Sequence, residues 1–133
     1  MRLDKMSRKP LYEQVVYGIK QDILKGILDS DDKLPSVREL ASELLINPNT
    51  ISKAYKQLEA EGIILTIRGK GTFVAPQTQI IQDDRKIQEI KNKINELVLE
   101  AIYQKIEVTE FVSYVTDYYE TNGGKNNEGR ELK

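Results

Sequence analysis

The stretch from Asn47 to Gly62 constrains the fold most strongly, because it carries the start and stop signals of one complete helix. Asn47 is a residue type that caps helix N-termini, and Pro48 suits the first helical position, where its missing N–H costs nothing. Gly62 suits the left-handed position after a last helical turn. Apolar residues recur between these signals at spacings of three and four: Ile51, Ala54, Tyr55 and Leu58. This pattern predicts an amphipathic helix with one buried stripe.

The opposite face of this helix is polar, and its first turn holds no acidic residue. Its side chains are uncharged or positive: Asn49, Thr50, Ser52, Lys53, Lys56 and Gln57. An acid-free helix N-terminus suits a phosphate or a base edge. The same pattern also fits an ordinary amphipathic helix with a solvated face, so the neighbouring segments have to decide between the two interpretations.

Two patterns upstream predict two further helices. Pro10 opens the first, which carries an apolar stripe and ends at Gly26. Ser36 and Glu39 form the S-x-x-E pattern of a capping box at the start of the second. A short turn then leads to Asn47. Two helices joined by such a turn indicate a helix-turn-helix in which the second of the pair is the reading helix.

A β-hairpin is predicted directly after Gly62. Residues 63–67 and 72–75 are β-branched or apolar, and the turn between them holds Arg68, Gly69, Lys70 and Gly71. Glycine lets a backbone approach a partner closely, and basic side chains suit phosphates. The alternative is a basic tip that only keeps the hairpin soluble. The turn connects two strands and lacks the Walker spacing, so we set an ATP-binding loop aside.

Composition excludes several classes of function. The 133 residues include no cysteine and no histidine, which removes disulfides, thiolate chemistry, the commonest general base and the commonest metal ligand. We expect no catalytic residue, metal site or cofactor. No apolar run is long enough to span a membrane and no signal peptide is apparent, so we expect a cytoplasmic protein.

Charge divides unevenly along the chain. Residues 1–76 hold 12 Lys and Arg against 10 Asp and Glu, a net +2, whereas residues 77–133 hold 8 against 11, a net −3. A weakly basic first part permits nucleic-acid binding without proving it. Within that part, residues 1–9 are expected to form a loose basic arm. Residues 28–34 are expected to form an acidic solvent loop that faces away from any DNA.

Three helices and a two-stranded wing describe a winged helix-turn-helix, and the sequence blocks that build it resemble the N-terminal domain of GntR-family transcription regulators. The blocks occur in order: Pro10-Leu11-Tyr12, Lys33 to Ala41, Asn47 to Tyr55, Leu58 to Gly62, and Gly69 to Val74. The resemblance covers about residues 10–76. It implies DNA binding as a dimer at an inverted repeat.

The same resemblance implies which residues contact DNA. Similar family members read bases with the N-terminus of the third helix and hold phosphates with the second helix and the wing. Carried onto this chain, the implied set is Arg38, Asn49, Thr50, Ser52, Lys53, Arg68, Gly69, Lys70 and Gly71. Many members have a basic residue where this chain has Pro48 and Asn49, so their base preference is not expected to transfer.

Residues after the wing predict a short helical tail. A helix over residues 83–105 keeps a coiled-coil-like spacing, and Thr109 is expected to cap a second helix. The predicted dimerisation residues are Ile87, Ile90, Ile94, Leu97, Ala101, Phe111 and Val115. Pairing with a second copy would bury this surface, and the alternative is packing against the chain's own winged helix.

The predicted fold class is mainly α with a small β-wing. We expect a winged helix-turn-helix domain over residues 1–76, a two-helix dimerisation tail over residues 77–121 and a disordered C-terminus over residues 122–133. The tail is too short to enclose a metabolite in a core of its own. It resembles the tail of the YtrA-like subfamily, whose members commonly regulate transporter genes.

Together these features indicate a homodimeric, sequence-specific DNA-binding regulator, most simply a repressor, whose partners are double-stranded DNA and a second copy. Activation is also compatible with the sequence, which specifies no operator, target gene or small-molecule effector. The alternative is a winged-helix adaptor that binds another protein. An enzyme acting on nucleic acid ranks lower, because the chain has no histidine and no paired-carboxylate motif.

Overall fold

The computed structural model describes residues 1–123, so residues 124–133 of the segment predicted to be disordered lie outside it. The chain divides into two compact units, Met1–Ile80 and a second unit that begins at Ile81. The first unit contains α1 (Leu11–Leu24), α2 (Val37–Leu44), α3 (Pro48–Ala60), β1 (Ile64–Ile67), β2 (Gly71–Val74) and a 3₁₀ turn (Gln77–Gln79). The second contains α4 (Asp84–Tyr103) and α5 (Val108–Asn122). This mainly helical architecture with one small antiparallel sheet confirms the predicted fold class.

Local sequence signals start α2 and α3, and end α3, where predicted. The Oδ1 atom of Asn47 accepts a hydrogen bond from the N–H of Asn49 at 2.8 Å, which caps α3. Gly62 follows α3 with a φ of 75°, the left-handed conformation that glycine adopts without strain. Ser36 and Glu39 exchange side-chain to backbone hydrogen bonds of 3.0 and 3.1 Å at the start of α2. The predicted capping box is therefore confirmed.

The core of the first unit forms where α1, α2 and the wing pack around α3. Its members combine the predicted stripe of α3 with apolar residues from α1, α2 and both strands, among them Val15, Ile19, Leu40, Ile51, Leu58, Ile64 and Val74. The hydroxyl of the buried Tyr55 donates a hydrogen bond to the backbone oxygen of Pro35 at 2.7 Å. This bond fixes α3 against the residues that lead into α2.

The wing is an antiparallel hairpin, as predicted. Its register runs from Ile64 opposite Val74 at the base to Ile67 opposite Gly71 next to the turn. Val74 is fully buried, so the base of the wing is anchored in the core of the first unit. The tip is exposed.

Part of the segment predicted as a solvent loop pairs with the wing instead. The N–H of Asp31 donates to the oxygen of Val74, and the N–H of Leu34 donates to the oxygen of Thr72, both at 2.8 Å. Val74 in turn donates its N–H to the oxygen of Asp32 at 2.8 Å. The expectation of a plain solvent loop was wrong for residues 31–34, because the free edge of β2 offers partners for their backbone groups.

The N-terminal arm is also more ordered than predicted. The side chain of Gln14 accepts a hydrogen bond from the N–H of Asp4 at 2.8 Å and donates to the oxygens of Asp4 and Lys9 at 2.9 Å. Leu3 packs against the core, and Met1 lies so close to Gly18 that a Cβ there would be 2.8 Å from the Met1 Cγ. The prediction of a loose arm was wrong, because one α1 side chain satisfies its backbone groups.

The second unit consists of the two tail helices. Asp83 caps α4, and its side chain accepts a hydrogen bond from the N–H of Arg85 at 2.9 Å. The expectation that Thr109 caps α5 was wrong, because the N-cap lies two residues earlier, at Glu107, which makes no side-chain cap bond. α5 also continues through Asn122, the first residue of the predicted disordered segment. Across residues 1–123, no helix combines the length and apolar character needed to cross a membrane.

Candidate nucleic-acid interface

The first turn of α3 presents backbone and polar side chains without a negative charge. This turn contains no acid, Pro48 has no N–H, and the N–H groups of Asn49 and Thr50 donate to the side chain and the backbone oxygen of Asn47. Asn49 is exposed, and Thr50 is half-buried. Asn49 and the exposed Lys53 lie one turn apart and therefore share a face. Such a surface offers hydrogen-bond donors, acceptors and a positive charge to a partner.

A contact that sequence reasoning missed holds Lys53. Its ammonium lies over the ring of Tyr12, 4.0 Å from the ring centroid, a distance at which the ring quadrupole attracts the cation. Tyr12 stands in the first turn of α1. Its position inside the Pro10-Leu11-Tyr12 block was the available signal, but spacing within the chain does not reveal that this tyrosine faces α3. The contact directs Lys53 towards the N-terminal end of α1.

The start of α2 places Arg38 beside the capping box. Arg38 occupies the first turn of α2 and is exposed. Hydrogen bonds from the backbone and side chain of Ser36 hold the pKa of the Glu39 carboxyl below its usual range, and the charge of Lys33 adds to this effect.

Burial, followed by the charges of Glu39 and Glu43, raises the pKa of Tyr55 to about 12. Tyr55 thus remains a neutral hydrogen-bond donor to the chain that leads into α2.

Replacing Ser36 with alanine is expected to lower the free energy of unfolding by about 1 kcal/mol, the usual cost of a lost helix cap. A lowered carboxyl pKa stabilises the fold above the ordinary pKa, and this stabilisation disappears as pH falls through the lowered value. The variant loses the side-chain bond but keeps the backbone N–H of Ser36, the larger cause of the lowered pKa, so it should lose stability only slightly less steeply on acidification. Urea unfolding between pH 3 and pH 7, followed by circular dichroism, measures both effects. An unchanged unfolding midpoint at neutral pH would contradict the role of the cap.

The wing tip carries two basic side chains on a tight turn. The N–H of Lys70 donates to the oxygen of Ile67 at 2.9 Å, which closes the turn. Gly69 has a φ of 80° there, and a Cβ added to it would contact nothing within 4 Å. Glycine is therefore needed at this position for its backbone conformation, as type II turns require. Arg68 and Lys70 are both exposed.

Two acidic residues are engaged at the opposite end of α3, one in its last turn and one in the C-cap position that follows. Glu61 pairs with Lys20 of α1 at 2.8 Å, and Glu59 accepts a hydrogen bond from the hydroxyl of Thr66 in β1. These bonds tie the end of α3 to α1 and to the wing. The helix thus keeps its carboxylates away from its polar N-terminal turn.

All nine predicted DNA-contact residues belong to the first unit, where they lie on three features: the first turns of α3, the first turn of α2 and the wing tip. Their backbone and side chains are exposed or half-buried. The structure shows in addition that Tyr12, which the sequence analysis did not assign to this set, contacts one of its members, Lys53. A winged helix with a polar reading turn and a basic wing is the architecture of a DNA-binding transcription regulator.

The comparison with protein families agrees with this class. The family model described as "Bacterial regulatory proteins, gntR family" matches residues 11–74. The chain belongs to the GntR family of DNA-binding transcription regulators.

Relatives extend the similarity beyond the winged helix. The chain is 40% identical over 129 residues to the HTH-type transcriptional repressor YtrA of Bacillus subtilis (strain 168), covering 96% of this chain and 99% of that protein. A transcriptional antiterminator from Listeria monocytogenes EGD-e has a TM-score of 0.83 at 38% identity, with 89% and 88% of the two chains covered. The AraR DNA-binding domain in complex with operator ORX1 has a TM-score of 0.51 at 32% identity, with 56% and 93% covered. The predicted family and its YtrA-like subfamily are confirmed.

Proposed function

We propose that this protein is a cytoplasmic repressor that binds an inverted-repeat operator as a homodimer. The observation that carries the proposal is an exposed apolar seam on α4, in a chain that resembles a named transcriptional repressor over nearly its whole length. The first unit would read one half-site, and the seam would join two such units. Repression follows where the operator overlaps a promoter.

The first unit would make two kinds of DNA contact, one to base edges and one to phosphates. The side chains of Asn49, Thr50 and Ser52 donate and accept hydrogen bonds, which suits base edges in the major groove. The cations would bind phosphates and so set the position of the protein on the duplex: Arg38, Lys53, Arg68 and Lys70. Gly69 has no side chain and no neighbouring atom within 4 Å of its Cβ position, so that the turn would approach the sugar-phosphate chain closely.

The dimer proposal rests on apolar side chains that face solvent along one stripe of α4. Ile90, Ile94 and Leu97 expose 56%, 47% and 53% of their surface, while Ile87 is half-buried and Ala101 is buried. On α5, Phe111 is half-buried and Val115 is 48% exposed. Removing apolar surface from water contributes roughly 25 cal/mol per Å², so pairing of two such stripes stabilises a dimer. A two-fold dimer then requires two half-sites related by the same symmetry.

Selection from random-sequence duplexes at two salt concentrations tests the proposal as a whole. We expect an enriched inverted repeat whose affinity falls steeply with salt, because phosphate contacts release counterions. The centre-to-centre distance of the repeat would report the geometry of the dimer. Enrichment of one half-site would preserve the winged-helix reader and contradict the dimer. Absence of enrichment at both salts would contradict sequence-specific binding by the protein alone.

Replacing Arg38 and Lys70 together with alanine is expected to reduce the slope of log affinity against log salt by about 2, since each phosphate contact contributes about 0.9. Affinity should fall for all duplexes alike, because phosphate contacts carry no sequence information. A matched double variant, Lys25→Ala with Lys91→Ala, removes two exposed cations from other surfaces and should leave the slope unchanged. Equal slopes for the two double variants would contradict the assignment.

The protein–protein adaptor makes opposite predictions. An adaptor would show no enriched duplex, and its association with a protein partner would not depend on the sequence of added DNA. An enzyme acting on nucleic acid would cleave labelled duplex in the presence of magnesium. Both rivals are tested with the same purified protein that the selection experiment uses.

A further inference from the structure

Lys33 stands where the chain leading into α2 meets the wing. It forms an isolated antiparallel bridge with Phe73 of β2, next to the 2.8 Å hydrogen bond from the N–H of Leu34 to the oxygen of Thr72. The backbone at Lys33 is therefore fixed along the outer edge of the wing. Sequence reasoning placed this residue in an acidic loop directed away from DNA, whereas the structure attaches it to a basic element.

The side chain of Lys33 crosses the bare backbone of Gly71. A Cβ added to Gly71 would lie 2.8 Å from the Cε atom of Lys33 and 3.6 Å from its Nζ atom. Gly71 opposes Ile67 in the last pair of the hairpin, immediately before the turn. The ammonium of Lys33 is thus held beside the wing tip, within reach of the surface that Arg68 and Lys70 present.

The charges around Lys33 leave its ammonium available. Lys33 forms no ion pair within residues 1–123, and the residue is exposed. Among nearby acids, Asp32 accepts a hydrogen bond from the N–H of Asp29 at 2.8 Å, and Glu39 is engaged in the capping box with Ser36. The charge of Lys33 also helps to lower the pKa of the Glu39 carboxyl at the start of α2.

We propose that Lys33 is a third phosphate-binding cation of the wing, and that Gly71 lacks a side chain partly to let Lys33 reach that position. The proposal rests on the DNA-binding function described above. An ammonium on a flexible stem is a hydrated point charge that suits a phosphate oxygen better than the planar pattern of a base edge. Lys33 would contact a phosphate between the one bound by Arg38 and those bound by the wing, so that α2 and the wing bind one continuous stretch of the DNA backbone.

Binding of the full-length protein to its selected duplex, measured at several salt concentrations, tests this assignment. Lys33→Ala is expected to reduce the slope of log affinity against log salt by about 0.9, with the same loss on matched and mismatched duplexes. Lys33→Arg should retain the slope, because the charge remains. The control Lys25→Ala removes an exposed cation at the C-terminal end of α1 and should not alter the slope. Thermal melting of each variant confirms that the fold is intact.

A second variant separates the role of Gly71 from a general weakening of the wing. Gly71→Ala displaces the Lys33 side chain and also strains a backbone with a φ of 123°. When Lys33 is already alanine, no side chain is displaced and only the backbone strain remains. The loss of affinity caused by Gly71→Ala should therefore be smaller in the Lys33→Ala background than in the parent. Equal losses in the two backgrounds would overturn the coupling between these residues.

Failure of the new assignment is distinguishable from failure of the proposed function. If the parent protein binds its selected duplex and Arg38→Ala reduces the salt slope while Lys33→Ala does not, Lys33 is not a phosphate contact and the DNA-binding function stands. If the parent protein selects no duplex, the result contradicts both the proposed DNA-binding function and the phosphate contact of Lys33.

Discussion

Replacing Leu97 with glutamate is expected to convert the protein to a monomer and to weaken binding to an inverted-repeat duplex by roughly 100-fold or more, the scale at which linking two binding modules raises affinity. Leu97 lies in the middle of the α4 seam and exposes 53% of its surface. In a two-fold dimer the new carboxylate would face its own symmetry mate in an apolar contact, where burial of an unpaired charge is costly. Analytical ultracentrifugation at micromolar concentration measures the first effect, and titration of the duplex measures the second.

The same helix offers a matched control. Leu99 is 58% exposed but lies two residues further along α4, so that it points away from the seam. Leu99→Glu introduces the same charge at the same kind of residue and should leave the dimer and its DNA affinity intact. A parent protein that sediments as a monomer would refute the dimer itself. Dissociation by both variants would show that the interface extends beyond the predicted seam.

Replacing Leu58 with alanine is expected to destabilise the winged helix by about 2–5 kcal/mol, the usual cost of removing a large buried side chain. Leu58 is fully buried in the stripe by which α3 packs against its neighbours. Because small domains are stabilised by only about 5–15 kcal/mol, this loss would remove a large part of the stability, and DNA binding should be lost at a lower temperature than in the parent. Urea unfolding followed by circular dichroism gives the free energy, and duplex titration on warming gives the functional effect.

Lys56→Ala provides the corresponding control on α3. Lys56 is exposed on the polar face of the helix, and surface substitutions usually change stability by less than about 0.5 kcal/mol. The control should therefore unfold at the same urea concentration as the parent. A loss below about 1 kcal/mol for Leu58→Ala would mean that the core relaxes into the vacated space, which close packing around α3 does not favour.

The sequence predicted the helices and the hairpin well because their signals are local. The cap at Asn47, the capping box of Ser36 and Glu39, and the left-handed Gly62 each act within about one turn of the chain. Apolar stripes at helical spacing then identify the buried face of α3 without knowledge of what covers it. The predicted DNA-contact residues came from the family resemblance, and their individual roles remain predictions that the experiments above address.

Predictions failed where the outcome depended on partners distant in the sequence. The aspartate-rich segment gave no local reason to pair with β2, yet its backbone hydrogen bonds to Val74 and Thr72 do so. The N-terminal arm is held by Gln14, whose side chain could equally have faced solvent. Thr109 shows a different error, since a favourable capping residue does not set the start of α5, where the extended Glu107 occupies the N-cap without a side-chain bond.

The sequence by itself determined the elements of this protein, their order and the polar character of its reading helix, because short-range hydrogen bonds and side-chain periodicity suffice to specify them. Only the tertiary structure decided which cations meet at the wing and which aromatic ring holds Lys53. Lys33 reaches Gly71, and Tyr12 reaches Lys53, through packing of elements that are far apart in the chain. Such contacts depend on how the core positions each backbone, and no local pattern of residues encodes that position.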